Sequence, residues 1–265
     1  MLEQLRIFKD RIPHPLKEKR ILKEFDAIPR EQLYGLTIEM TMDGNGRFAE
    51  KTGIPLEKGH AAGAKKGAEL TRFILNNGMN LILWGFSTDN WKRPEEEKEN
   101  IFRLIDKTTK ESLEELIKSG VRIFHLGRKD RIPEYLRETL IEAEEKTKEN
   151  KGPILALAVD YSGRDELERA AEKAKEEKTS DTWWKSVREH CDDKGLIPDG
   201  LHDKTIAIRT GGDMRTSGFG FRIDFAELYF TPKKFPELTI ADIKSIIVDY
   251  FKRNKRFGGR PNNKN

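Results

Sequence analysis

Apolar residues along this chain follow two rhythms. Short, nearly continuous runs at 36–42, 79–86, 121–126, 154–159, 205–208 and 225–230 have the length and texture of strands. Between them, stretches at 60–77, 95–118, 133–150, 164–178 and 181–192, with a last one near 239–254, carry apolar positions at helical intervals. This strand-then-helix order predicts an α/β fold with a mostly parallel six-stranded sheet covered on both faces by helices. In the first run Leu36, Ile38, Met40 and Met42 alternate with Thr37, Glu39 and Thr41, which predicts one polar face and a structural role for Glu39.

Ahead of the alternation, Leu2, Leu5, Phe8 and Ile12 share a helical spacing, Pro13 and Pro15 break it, and Ile21, Leu22 and Phe25 resume it. The chain therefore divides into a helical appendage over 1–33, one α/β domain over 34–250 and a tail over 251–265. Residues 1–30 carry Arg6, Lys9, Arg11, Lys17, Lys19, Arg20, Lys23 and Arg30 against five acids. Packing onto the domain is the expected role, and association with a membrane surface is the alternative. The tail holds Lys252, Arg253, Lys255, Arg256, Arg260 and Lys264 without an acid, whereas the whole chain is only +4. Such a tail is a solvated terminus or a grip on phosphate or acidic lipid. Nucleic acid ranks last, because no aromatic platform interleaves with the charges.

Composition narrows the compartment more than the chemistry. Hydrophobic and charged residues each make up 36% of 265 residues, and 21 Gly with 11 Pro interrupt any long heptad. Cys191 is the single cysteine, which excludes an internal disulfide and a cysteine metal site; it is expected half-buried on a helix. No N-terminal apolar segment resembles a signal, and none approaches the ~20 residues of a membrane span. A cytoplasmic protein, or one peripheral to a membrane, is expected.

Candidate chemistry sits where strands end, the edge at which open parallel sheets bind ligands. The first run leads into Asp43-Gly44-Asn45-Gly46-Arg47, and a helix is expected to begin near Gly59-His60. Two glycines let the backbone turn and expose N–H groups, Asn45 and Arg47 add donors, and Asp43 offers a carboxylate that Mg²⁺ would join to a diphosphate. Taken alone the segment also fits an ordinary turn. It lacks the glycine spacing of a dinucleotide fold and the Gly-Lys-Ser/Thr of a P-loop. The second run ends in Phe86-Ser87-Thr88-Asp89-Asn90-Trp91-Lys92-Arg93-Pro94, six polar groups and a tryptophan closed by a proline at a helix start. The fifth ends in Arg209-Thr210-Gly211-Gly212-Asp213-Met214-Arg215-Thr216-Ser217, two arginine forks around a Gly-Gly turn, with a hydroxyl to complete a phosphate cup. Glu227, a lone acid in the last apolar run, either pairs with an arginine or binds metal.

These segments, in this order, resemble the signature regions of the cis-prenyltransferases, the undecaprenyl diphosphate synthase family. The likeness covers Met42 to Ala49, Gly59-His60 with Gly63, Phe86 to Pro94, Arg209 to Ser217, Ala226 to Thr231 and Arg256-Phe257-Gly258-Gly259, from about residue 36 to 260. It implies that Asp43 manages Mg²⁺ and the leaving diphosphate, and that Gly44, Asn45, Gly46, Arg47, Phe48 and His60 hold the allylic diphosphate. Ser87, Asn90 and Trp91 would surround the reacting carbons, with Arg93 and Glu97 paired at a helix start. Arg209, Arg215 and Ser217 would bind the homoallylic diphosphate, joined across a homodimer interface by Arg256 and Gly258, while Glu227 serves metal or arginines. The implied reaction is attack of the isopentenyl diphosphate olefin on an allylic C1, followed by proton loss that leaves a cis double bond. His60, Asn90 through water and the released diphosphate all stand as proton acceptors.

The chain also departs from that pattern. Leu56 stands where many relatives have a second allylic-site arginine, with Lys58 two residues on; Phe48 replaces the usual tryptophan; and Gly218 replaces an asparagine. Arg222 and Asp224 fall where relatives are more apolar, and Lys92 and Arg128 are unusual choices. The acceptor therefore stays open between isopentenyl diphosphate, a second allylic diphosphate and an alcohol. A non-catalytic partner subunit is the remaining class, disfavoured because the aspartate loop and Arg256-Phe257-Gly258 are both kept. The 97–121 segment, with Phe102, Leu104, Ile105, Leu113, Leu116 and Ile117, is expected to wall a tunnel for short to medium products.

Overall fold

The computed structural model describes residues 15–177, 182–192, 204–219, 223 and 226–253. Arg222, Asp224, Arg256, Gly258 and the helical spacing at Leu2–Ile12 lie outside these described residues. The elements run α1 Pro15–Asp26, α2 Arg30–Leu33, β1 Thr37–Thr41, α3 Asn45–Thr52, α4 Leu56–Asn76, β2 Asn80–Ser87, then a 3₁₀ turn Thr88–Lys92. They continue α5 Glu95–Lys118, β3 Arg122–Leu126, α6 Glu134–Thr147, β4 Ile154–Tyr161, α7 Gly163–Glu176, α8 Trp183–Glu189, β5 Thr205–Arg209, β6 Glu227–Phe230 and α9 Ile240–Lys252.

The six strands form one sheet, ordered β3-β4-β2-β1-β5-β6, with every pairing parallel. β1 is central, and it corrects one expectation: Thr37 and Glu39 are as buried as Ile38 and Met40. A central parallel strand is covered on both faces, so the Thr/Glu alternation marks no solvent face. Along β2 and β4 alternate residues serve different cores. Leu81, Leu83 and Leu155 pack with α4 and α5 residues such as Leu70, Ile74 and Leu113, while Ile82, Trp84, Ala156 and Ala158 pack with Phe219 and Ile223.

Helix ends follow local chemistry. α5 begins after Pro94, carries Glu95, Glu96 and Glu97 in its first turn and Lys118 in its last, and stops at Ser119-Gly120, where Gly120 has φ +70°. α9 is capped reciprocally by Thr239 and Asp242. α1 lies against the domain: Phe25 is buried in the main core and meets the Phe73 ring at 5.7 Å, while Lys244 pairs with Asp26 and Lys252 with Glu24. Among the described residues no helix is long and apolar enough to cross a membrane.

Candidate active site

Asp43 leaves β1 two residues beyond Thr41, and the sheet register sets Arg209 of β5 beside Thr41. That neighbourhood brings the Arg209 Nη2 to Asp43 Oδ2 at 2.9 Å. Arg47, one turn into α3, donates to Asp43 Oδ1 at 2.9 Å and to the Gly211 carbonyl at 2.5 Å. Gly211 has φ +89°, and a Cβ there would lie 2.6 Å from Arg47 Nη2, so only glycine admits this approach. The Thr210 hydroxyl donates to the Asp43 carbonyl at 2.7 Å, tying the two strand-end loops together. Burial pushes the Asp43 carboxyl up, but hydrogen bonds from Arg209 and then Arg47 outweigh it and hold the group below its ordinary value.

The expected loop after Asp43 is shorter than the sequence suggests. α3 starts at Asn45, with Gly44 as its cap at φ +99°, so the cradle is a helix N-terminus and not an open turn. α3 then packs on α4 through Gly59 and Gly63, whose own added Cβ atoms would meet Asn45. Gly46 and His60 line the same space as Asp43, Asn45 and Arg47. His60 Nε2 stands 3.9 Å from Glu97, whose carboxylate also takes Arg93 at 2.9 Å. Burial lowers the His60 pKa, with Glu97 opposing, so the imidazole is neutral at pH 7; its Nδ1 is buried without a partner among the described residues.

On the other side, Arg209 Nη1 donates to Ser217 Oγ at 2.6 Å and to the Arg215 carbonyl at 2.5 Å. Asp213 receives Arg209 at 3.2 Å and both Arg215 nitrogens at 3.1 Å. Ser217 sits at φ +52°, a sparsely populated backbone region for a non-glycine residue. Asn90 and Ser87 cap the 3₁₀ turn reciprocally, with Ser87 N donating to Asn90 Oδ1 at 2.9 Å, and both line the cavity.

Some expected site residues are not brought to the cavity. Trp91 turns its ring onto Phe86 and Phe102 and donates from Nε1 to Asp160 at 2.7 Å, and Phe48 is not part of the lining. Arg215 is exposed and outside the lining. Glu227 opens β6 beside Ile206, three residues before the Arg209 level, and pairs with Arg253, so of the two roles foreseen for it the described structure displays the arginine pair. Two contributors escaped the sequence reading. Asp213 is the shared anion of the second arginine cluster, and Asp160, buried at φ +51°, holds Trp91 and both forks of Arg131. Asp160 follows the apolar run 154–159 as Asp43 follows the run 36–42, which was the available signal.

From this polar mouth a cavity of about 620 Å³ runs between α4, α5 and the sheet. Its body is lined by Ala64, Ala68, Leu83, Ile101, Leu104 and Ile105 among others. An anionic head at the arginines and an apolar tail in the cavity describe an amphiphile. The donor set fits Mg²⁺ shared with substrate phosphates. No group of three or more His, Cys, Asp or Glu among the described residues could hold an ion alone, whereas Asp43 with Asp213 nearby supplies the one or two carboxylates such an ion takes.

Comparison with known proteins agrees with this geometry. The undecaprenyl diphosphate synthase family model of prenyltransferases matches residues 41–258. An isoprenyl transferase of Clostridium perfringens is 35% identical over 225 residues, 84% of this chain and 89% of the relative. A crystal structure of lavandulyl diphosphate synthase from Lavandula x intermedia in complex with dimethylallyl diphosphate superposes with TM-score 0.76 at 26% identity, over 86% of this chain and 99% of that one. A probable undecaprenyl diphosphate synthase from Campylobacter jejuni gives TM-score 0.68 at 32% identity, over 84% and 98%.

Proposed function

The chain belongs to the undecaprenyl diphosphate synthase family of prenyltransferases, and from that membership we propose that it condenses an allylic prenyl diphosphate with isopentenyl diphosphate, with Mg²⁺, to give short- to medium-chain cis-polyprenyl diphosphates. The observation that carries the reading is the convergence of two arginine clusters on Asp43 at the mouth of one apolar cavity. Each cluster suits one diphosphate. Asn45, Gly46, Arg47 and His60 lie on the α3–α4 side, where the N–H groups of the first turn of α3 would also suit an anion. Arg209 and Ser217 lie on the β5 side, with Arg215 tied in through Asp213.

In this reading Asp43 would hold Mg²⁺ together with the allylic diphosphate. When bound, that ion neutralises the charge gathering on the departing diphosphate. Arg47 and Arg209, now on Asp43, have planar forks that serve phosphate oxygens equally well, so substrate arrival moves them between two anions of the same geometry. The allylic C1–O bond breaks as the isopentenyl C4 olefin forms the new C–C bond. The proton lost from C2 then leaves a cis double bond. Asn90, fixed by Ser87, lies beside this path, and neutral His60 can accept a hydrogen bond there.

Two observations keep a second allylic diphosphate open as the acceptor. Leu56, where a cation was expected, lies exposed at the mouth of the cavity, and the TM-score 0.76 neighbour was crystallised with the allylic dimethylallyl diphosphate. A homodimer is proposed from Arg256-Phe257-Gly258 in the sequence. Purified protein offered Mg²⁺ with isopentenyl diphosphate plus an allylic primer, dimethylallyl diphosphate alone, or dimethylallyl diphosphate plus glycerol is expected to incorporate isopentenyl units. Product only in one of the other two arms moves the assignment to that acceptor. Activity appearing only with a second, different chain would make this one a partner subunit.

A further inference from the structure

On the sheet side Ile123 and Leu155 floor the deep end of the cavity, whereas between α4 and α5 it is closed by charge. Lining residues follow α4 from Leu56 to Arg72, a stripe that at 1.5 Å per residue covers about 24 Å, and follow α5 from Glu97 to Glu115. Arg72 therefore lies about 18 Å along α4 from His60, at the end remote from Asp43. There its Nε donates to both Glu115 oxygens, at 3.2 and 3.1 Å, spanning the gap between the two helices. Both side chains line the cavity, yet they are 57% and 52% exposed, so the wall at this point is one ion pair thick. Thr108 and Ser112 stand in the layer before it, their hydroxyls donating to the Leu104 and Thr108 carbonyls, so this face of α5 presents small side chains and the bulk at this depth comes from Leu116 and from Ile123 and Leu155 of the sheet.

We propose that the Arg72–Glu115 pair is a gate that sets product length, a specificity-determining contact for the prenyl chain. The proposal rests on the reading of the cavity as the prenyl-chain site. An apolar tail reaching the pair strips water from two charges without replacing their hydrogen bonds, an unfavourable exchange that halts extension. If the pair parts, or is removed, the tail passes between α4 and α5 toward solvent. Exposed ion pairs contribute little to stability, so the fold tolerates their loss.

The test compares wild type, Arg72→Ala, Glu115→Ala, the isosteric Glu115→Gln and the charge-reversed double variant Arg72→Glu/Glu115→Arg. Each is incubated with Mg²⁺, dimethylallyl diphosphate and labelled isopentenyl diphosphate, and the dephosphorylated products are chromatographed. The dominant product should lengthen by at least one C5 unit in all three single variants and return to wild-type length in the reversed pair. Unchanged lengths in the single variants overturn the gate, as does lengthening that charge reversal fails to undo. Incorporation with unchanged lengths defeats the gate alone, whereas no incorporation by wild type defeats the functional reading and the gate with it.

Discussion

Asp43 is a carboxylate whose two oxygens are each claimed by a guanidinium, from residues 4 and 166 positions away in the chain. Its replacement by Ala leaves Arg47 and Arg209 facing each other without the anion between them, and takes away the one carboxylate proposed to share Mg²⁺ with substrate. Turnover should fall by roughly 10²–10³-fold or more, the scale of losing a preorganised electrostatic contact, while far-UV circular dichroism stays native. Near-normal turnover would remove Asp43 from the mechanism. The same residue sets a pH dependence. Its folded pKa lies below the ordinary 3.8, so its contribution to stability is complete above the unfolded value and is lost as pH falls through the lowered folded one. Asp43→Asn should flatten that acid limb in denaturant midpoints collected from about pH 5 down to about pH 2; an identical limb in both proteins would place the titrating group elsewhere.

At the scale of elements, the site depends on how closely α3 sits on α4. At Gly59 an added Cβ would come within 2.6 Å of the Asn45 carbonyl and 2.7 Å of the Ala49 Cβ, whereas at Gly67 the nearest atom is 3.9 Å away. Gly→Ala in a helix interior adds up to about 1 kcal/mol of propensity, and overpacking against backbone costs about 1–3 kcal/mol. Gly59→Ala should therefore lower the melting temperature and raise KM for the allylic substrate by shifting Asn45, while Gly67→Ala should raise the melting temperature. Two variants melting alike would refute the packing argument. This contact also explains what the sequence hid. Asn45-Gly46 reads as a turn because both residues are poor helix formers, so α3 was not foreseen; its helical state comes from packing on α4, not from propensity. The α5 boundaries were legible because Pro94 and Ser119-Gly120 punctuate them locally. Arg72 and Glu115 were invisible, since among 96 charged residues nothing marks a pair that meets only when two helices align.

For the molecule as a whole, the sheet order was not readable from a list of runs, though the strand-to-helix alternation was enough for its parallel character. What places Asp43, Ser87 and Arg209 together is that β1 has β2 and β5 as its two neighbours, a long-range pairing without a local signal. The N-terminal segment poses the same question at the molecule's edge, because its basic residues also suit a membrane surface. Phe25 decides between them. It is 5% exposed, contacts Phe73 of α4, and lies under Lys244 of α9 at 4.7 Å from the ring centroid. If α1 is part of the folding unit, Phe25→Ala opens a core cavity costing about 3–5 kcal/mol, which at ~2–4 °C per kcal/mol lowers Tm by roughly 6–20 °C. Lys252→Ala, which breaks only the exposed pair with Glu24, should cost under about 1 kcal/mol. A Phe25 variant melting within a degree or two of wild type would mean that α1 peels away before the domain unfolds, and the membrane-surface alternative would then regain its force.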